Sequence, residues 1–389
     1  MQSRRSGFAG RSEKPANGGC GCRVPPTYGQ RVRTLSLREL NRATLARQLL
    51  LRRHRISVTR AIERVAGLQA QWPPSPYLGL WSRVDGFRHE DLARAVARRH
   101  VVKATLMRTT LHHVSARDYL AYAGLFRERR EVWARQQLAT IEADHDLDAL
   151  AERLAELAAE HSRTRPELLA LLGRPKLTLD DRRPWLVWYL LVAKAGLING
   201  PSSSVWRSHT AGGTFVPARS WLGADGAGGE AAAVHLVRRY LAAFGPATRA
   251  DVAQWTGLPL RVLETGFARL ELRRLRDEQG RELLDLPRAP LPSPESPAPP
   301  RFLPRWDNLL LSHADRRRVL PEEYRKTVIA KNGDVAQTFL VDGFVAGVWS
   351  VEQGRVRVEP FAQLQRATRA DLEQEAARLE AFLPSGYGV

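Results

Sequence analysis

The chain reads as an α+β fold of three winged-helix units in tandem, followed by a small C-terminal β-barrel or sheet. Three observations predict it. Helical periodicity gives way to a β-prone stretch three times before residue 287. A Pro-rich segment, 287–300, then interrupts the pattern. Beyond it, short apolar runs are separated by Asn332-Gly333, Asp342-Gly343 and Gln353-Gly354, pairs that turn one strand back on the next. The expected boundaries are a basic tail over 1–33, a first winged helix over 34–117, and a helical region with a second over 118–230. A third spans 231–287, the linker 288–300, and the β-barrel with its closing helix 301–389.

Residues 1–33 are rich in Gly, Pro, Ser and Arg without a hydrophobic period, so they cannot bury enough apolar surface to offset chain entropy. Order starts at Ser36, where Glu39 three residues on completes a capping box and Leu37, Leu40, Leu45 and Leu49 recur at helical spacing. A second helix is expected over 57–68, with Ile62, Val65 and Ala66 inward. The apolar run 77–81 should pack into the core. A third helix over 90–99 precedes β-prone runs 101–107 and 110–114, the order of a winged helix.

The span 118–160 reads as helical throughout. Pro166, Leu168 to Leu172, Thr178 and 185–195 suggest a second unit, with Pro184 starting a helix that Gly196 stops. The Gly- and Ser-rich segment 200–229 reads as a long loop or wing around 205–206 and 214–216. In the third unit, helix 232–244 leads to Thr248 as the cap of a short helix over 251–256, a turn at Gly257-Leu258-Pro259 and a helix over 260–270. Strands follow at 275–279 and 282–286. In the last region, strands are expected at 302–303, 309–311, 328–329, 338–341, 344–349 and 356–358, then a helix over 368–382.

The charge narrows the partners. Lys and Arg number 60 against 41 Asp and Glu, a net +19, and the excess is mostly arginine, as in Arg52–Arg53, Arg98–Arg99 and the run Arg316 to Arg318. Such an excess repels itself unless a polyanion offsets it, and guanidinium forks suit phosphates and guanine edges. Cys20 and Cys22 have no further cysteine with which to build a metal site. No apolar run reaches the roughly 18 residues of a membrane span, and the N-terminus lacks a secretory core, so a cytoplasmic chain away from membranes is expected.

One set of residues carries a specific resemblance. The stretches 40–50, Gly67-Leu68-Gln69-Ala70-Gln71, Tyr77-Leu78-Gly79-Leu80-Trp81, 106–116 and Ala243-Phe244-Gly245-Pro246-Ala247-Thr248 belong to it. So do 307–316 and Val341-Asp342-Gly343-Phe344-Val345-Ala346-Gly347. Together they resemble the AlkZ-like DNA glycosylases over 34–383, most weakly over 199–229. The resemblance implies tandem winged helices and a β-barrel forming a concave DNA-binding scaffold. It also implies a catalytic pair of glutamines flanking an aliphatic residue, here Gln69 and Gln71; the similar YcaQ-like branch has an aspartate at the second position.

The chemistry expected of such a pair is hydrolysis of the glycosidic bond of an N7-alkylated purine in double-stranded DNA, interstrand crosslinks being a further candidate substrate. An N7-alkylguanine is already cationic and leaves without protonation, so the protein need only hold a water and stabilise an oxocarbenium-like sugar. Two glutamines one residue apart can converge on one water only if the backbone there is not helical, and Trp72-Pro73-Pro74 favours a break. No lysine is expected in the site, so strand-cleaving Schiff-base chemistry is not. No cofactor or metal is expected, and a monomer is.

Candidate DNA contacts are Arg108, His112, His113, Asn308, His313, Arg316 and Arg317. His112 and His113 must face opposite sides of a strand, in structural or phosphate-contacting roles. His313, Asp315 and the following arginines form either a DNA-contacting corner or a salt-bridged loop. Arg261 and Arg269 could touch phosphates, and Trp306 and Trp349 are expected in the core rather than stacked on a lesion. The alternative function is a non-catalytic winged-helix regulator reading one DNA sequence.

Overall fold

A computed structural model describes residues 32–138, 146–173, 185–206, 213–384 and 387. The basic tail up to residue 31, with Cys20 and Cys22, lies outside the described residues, as do Thr178 and Pro184 of the second unit. One order of elements occurs three times: helix, short extended segment, two helices, hairpin. The first set is helix Val58–Arg64, strand Leu68–Gln69, helices Ser75–Trp81 and His89–Ala97, and strands Val101–Thr105 and Leu111–Ser115. The second is Leu147–Glu160, Arg163–Thr164, Arg165–Leu171 and Leu186–Lys194, with strands Leu197–Asn199 and Thr214–Pro217. The third is Gly229–Phe244, a bridge from Ala247 to Leu284, helices Arg249–Thr256 and Leu260–Arg269, and strands Arg273–Asp277 and Glu282–Asp285.

The local signals explain these boundaries. Ser36 and Glu39 form the expected capping box on helix Leu37–Arg47, and Thr248 and Asp251 form another on Arg249–Thr256. Gly257 ends that helix at φ +74°, a left-handed conformation that costs glycine little. The helix expected over 57–68 stops at Arg64, because Ala66 and Gly67 both take positive φ and turn the chain into strand Leu68–Gln69. The helical span 118–160 is two helices, Ala116–Leu138 and Leu147–Glu160. Within 200–229, a helix Ala218–Leu222 follows the strand.

Sheet pairing joins units that the sequence presents as separate. The first two hairpins share one six-stranded sheet through the pairing of Lys103 with Asn199. Strand Thr34–Leu35 lies parallel to Arg273–Asp277 of the third set, pairing Thr34 with Arg276 and Leu35 with Asp277 across most of the chain's length. Helix Leu37–Arg47 then packs against helix Gly229–Phe244. Its arginines, Arg42 and Arg47 buried and Arg38 partly exposed, hold the Pro-rich segment, which is therefore more than a surface linker. Arg38, Arg42 and Arg47 donate to the carbonyls of Pro294, Ser296 and Pro290, acceptors that proline-rich backbone leaves unused by any ladder.

The C-terminal region corrects the expectation of a barrel. Strands Arg301–Leu303, Thr338–Val341, Phe344–Glu352 and Arg355–Pro360 form an open antiparallel sheet in that order. Four strands are too few to close around a packed interior. Helix Arg366–Phe382 covers the sheet instead, and Phe302, Phe339, Trp349, Leu372 and Leu379 share one core with Leu68, Tyr77 and Trp81 of the first set. Two expected strands are helical turns: Asn308–Leu310 is a 3-10 turn capped by Asp307, and Arg325–Val328 is a turn of α-helix. No helix among the described residues is long and apolar enough to cross a membrane.

Candidate active site

Gln69 and Gln71 lie where the first set meets the segment 305–334. Strand Leu68–Gln69 pairs antiparallel with His112–His113, and Ala70 N–H extends the pairing to the Leu111 carbonyl at 2.7 Å. The backbone here is extended, not helical, so residues two apart face the same way. Gln69 and Gln71 thus point to one side while Ala70 is buried on the other. Gly67 is required at the entry. Its φ is +93°, and a Cβ there would sit 3.0 Å from Val114 Cγ1 and 3.2 Å from the His113 carbonyl oxygen.

Gln69 is nearly buried and Gln71 is exposed. Both side-chain oxygens are held. Arg108 Nη2 donates to Gln69 Oε1 at 2.9 Å, and Leu111 N–H donates to Gln71 Oε1 at 3.3 Å. Arg108 sits at φ 50°, ψ 24° in the turn between the hairpin strands. Its Nη2 also donates to Asn308 Oδ1 (3.0 Å), and its Nη1 to the Trp255 carbonyl (2.9 Å). Asn308 returns its amide N–H to the Gly67 carbonyl at 3.1 Å. These partners set the orientation of both amides, because a guanidinium only donates. Loss of water around the guanidinium, then the charge of Arg316, pulls the Arg108 pKa down to about 10, still well above neutrality.

The glutamines open on a cleft of about 530 Å³, whose wall also includes Arg108, Thr110, Arg305, Trp306, Leu311 and the loop Asn332-Gly333-Asp334. No lysine lines it. Its carboxylate is Asp334, which is ion-paired with Arg305 through one oxygen while the other has no hydrogen-bond partner. Trp306, expected in the core, lines this cleft instead. It takes a φ of 54°, donates its indole N–H to the Gly333 carbonyl at 3.1 Å, and has the Arg305 guanidinium 4.7 Å from its ring centroid. Trp349 is core, donating to the Leu303 carbonyl at 3.0 Å. Arg305 and Asp334 escaped sequence reasoning; only the Asn332-Gly333 turn signalled that this segment doubles back.

The other candidates divide by burial. His112 and His113 do face opposite sides of their strand, but both sides are covered and neither ring is placed to meet a phosphate. Burial first, then Arg108, lowers the His112 pKa to about 3; its Nδ1–H donates to the Thr110 carbonyl at 3.0 Å. His113 is lowered well below its ordinary value by burial and Lys103, and its Nε2 lies 2.8 Å from Ser204 Oγ. His313 is likewise interior, held to about 3 by burial and then Arg318, and its Nε2–H donates to the Phe244 carbonyl at 3.0 Å. The arginine run splits. Arg318 is buried on the Pro246 carbonyl, and Arg317 is exposed and paired with Asp315 at 2.6 Å. Arg316 is half-buried, with its Nε lacking a hydrogen-bond partner. Arg261 and Arg269 are exposed, the latter paired with Glu230.

Three comparisons bear on this arrangement. The chain is 26% identical over 360 residues to the interstrand DNA cross-link repair glycosylase of Streptomyces sahachiroi, spanning 86% of this chain and 93% of that one. Its fold matches the solved structure of the Streptomyces sahachiroi DNA glycosylase AlkZ with a TM-score of 0.72 at 24% identity, over 90% of this chain and 97% of that one. The model of a family described as DNA glycosylase AlkZ-like matches residues 62–382, a span that holds both glutamines, Arg108 and the whole cleft wall. The chain therefore belongs to the AlkZ-like family of DNA glycosylases.

Proposed function

We propose that this chain is a monofunctional glycosylase that hydrolyses the N-glycosidic bond of N7-alkylated purines in duplex DNA, interstrand crosslinks included. The observation that carries the reading is the pair of glutamines on one face of an extended strand, with Gln69 fixed by Arg108. The relative named for interstrand cross-link repair supports the crosslink part.

In the reaction, the bond between C1′ and the purine N9 breaks and its electron pair neutralises the cationic base. The sugar becomes oxocarbenium-like, a water attacks C1′, and that water's proton passes to solvent. Each glutamine oxygen accepts one hydrogen bond and keeps a second lone pair, so the two can hold that water between them. Amides are weak bases, which confines the chemistry to leaving groups that are already charged. Asp334 supplies negative charge to the cleft at the stage when the sugar becomes cationic.

The thrice-repeated order of helix, strand, two helices and hairpin is that of a winged helix, and we read it as a scaffold for DNA backbone rather than for one operator sequence. Arg316 and Arg317 are among its DNA contacts, and Arg108 and Asn308 position Gln69 instead. A cytoplasmic monomer is the form we expect to act. The regulator reading gives way to an enzyme on the family match and the cleft together.

The test is release of base from a duplex carrying one N7-methylguanine, with abasic sites cleaved by alkali and counted against time under single turnover. Wild type should excise, and Gln69→Ala and Gln71→Ala should each lose on the order of 100-fold, the usual effect of removing a positioning group. No excision by wild type would overturn the proposal.

A further inference from the structure

The two glutamines are not held alike. Gln69 is within a strand and its amide is fixed by Arg108 at 2.9 Å, whereas Gln71 lies beyond the strand and is exposed. The bond that its oxygen accepts from Leu111 N–H is 3.3 Å, longer than the roughly 2.7–3.2 Å of most N–H···O bonds. The placement of Gln71 therefore leans on the residue that follows it, Trp72. That indole is half-buried, with the Arg305 guanidinium carbon 5.9 Å from its ring centroid. Ser75 Oγ, three residues on, donates to the Arg305 carbonyl at 2.8 Å. A further neighbour comes from far along the chain. Tyr387, five residues past helix Arg366–Phe382, has its ring 6.3 Å from that of Trp72, centroid to centroid, with the planes 44° apart. Tyr387 is itself seated: its N–H donates to the Pro384 carbonyl at 3.1 Å, and its ring makes a T-shaped contact with Trp206 at 5.2 Å. Trp206 in turn stands edge-on to Tyr77 at 5.3 Å, whose hydroxyl donates to the Ser204 carbonyl at 2.6 Å. Burial raises the Tyr387 pKa above its ordinary value and the charge of Arg305 opposes that rise, so the phenol feels the same guanidinium that lines the glutamine cleft.

We propose that Tyr387 is a positioning residue for Gln71: its ring, braced by Trp206, holds the Trp72 indole in place and so fixes the backbone from which Gln71 projects. The inference rests on the glycosylase reading above and deepens it by naming a residue that acts through another. Three features argue for it. Tilted and edge-on rings at centroid separations of about 4.5–7 Å attract one another, so the chain of contacts from Trp206 through Tyr387 to Trp72 is cohesive. Pro73 confines the Trp72 backbone to extended conformations, so holding the indole leaves little freedom between Trp72 and the glutamine before it. Above all, Gln71 has the longer bond and the greater exposure of the pair, and a displacement of about 1 Å in a group that must hold a water costs up to about 100-fold in rate.

Single-turnover excision from a duplex carrying one N7-methylguanine, followed against enzyme concentration, separates rate from binding. Tyr387→Ala should lower the rate at saturating enzyme by roughly tenfold and leave the half-saturating concentration where it is. Tyr387→Phe should restore the rate, because the ring makes the contacts with Trp72 and Trp206. The decisive comparison is made in Gln71→Ala: with that amide gone, Tyr387→Ala should cost nothing more, since the two changes act through one group. Tyr387→Leu, which keeps apolar bulk without the flat ring, repeats both comparisons with the packing filled. A loss of the same size with and without Gln71 would overturn the proposal and make Tyr387 a part of the fold. So would a shift in half-saturation alone, which would make the ring a DNA contact, and so would an unchanged rate. The glycosylase reading fails by different results, no excision by wild type or full excision by Gln71→Ala.

Discussion

Arg108 Nη2 donates to Gln69 Oε1 at 2.9 Å and to Asn308 Oδ1 at 3.0 Å, so one guanidinium nitrogen ties the first glutamine to a residue 239 positions later. Its other nitrogen reaches the Trp255 carbonyl. A lysine carries its charge at a single point and cannot span these three acceptors in a plane. Arg108→Lys should therefore lower single-turnover excision by roughly 10- to 100-fold, the range for a displaced positioning group. Duplex affinity measured alongside should change little. If excision is preserved in the lysine variant, Gln69 does not need this restraint.

Asp334 tests the electrostatic part of the mechanism. It is the carboxylate of the cleft, and one of its oxygens has no hydrogen-bond partner. Asp334→Asn keeps the shape and removes the charge, so excision should slow by about tenfold or more, as expected for one group stabilising a developing cation. Unfolding by heat should move little, since the ion pair to Arg305 is partly exposed. An unchanged rate would show that the sugar cation is stabilised elsewhere.

The buried histidines make the fold sensitive to acid. His112 and His313 are held to about 3 and His113 is lowered well below its ordinary value, each chiefly by burial. Unfolding returns them to an ordinary pKa near 6.5, so below that pH the unfolded chain binds protons that the folded chain refuses. Stability is thus unaffected above about pH 6.5 and lost as pH falls toward 3, by up to about 1.4 kcal/mol per pH unit for each ring. Urea midpoints at pH 7, 6 and 5 should fall in that order. Equal midpoints would mean that the rings accept protons inside the fold.

The Pro-rich segment has its own anchor in a buried ion pair. Arg47 donates to both oxygens of Asp285, at 2.7 and 2.9 Å, with both side chains essentially inaccessible, and to the Pro290 carbonyl at 3.0 Å. Arg47→Ala would strip Asp285 of this bidentate partner, leaving Arg273 as its remaining cation. A loss of about 3 kcal/mol is expected for breaking such a pair from one side, read as a shift in the denaturation midpoint. A change below measurement error would show that Arg273 alone is enough.

Capping, turn and periodicity signals were legible wherever the structure depends on neighbours in the chain. Ser36 with Glu39, Thr248 with Asp251, and the turns at Gly257, Gly343 and Gly354 all stand where their residue types placed them. The strands 338–341 and 344–349 were legible for the same reason, two short apolar runs joined by the Asp342-Gly343 turn. Segment 309–311 misled because three leucines in a row carry no period, and the Asp307 cap decides for a helical turn. Alternation placed His112 and His113 on opposite faces of their strand, as the structure has them, but could not tell that both faces are covered.

By itself, then, the sequence determined the local elements, the surplus of arginine and the glutamine pair set apart by one residue before a Trp-Pro-Pro break. Those depend on backbone sterics, side-chain period and charge, all of which act within a few residues. Only the tertiary structure decided that the last sheet stays open, that Arg108 and Asn308 serve Gln69, and that Trp306 and Asp334 face the same cleft. Each of these joins residues separated by many positions in the chain, and such contacts are selected by how whole elements pack, which no short window of sequence contains.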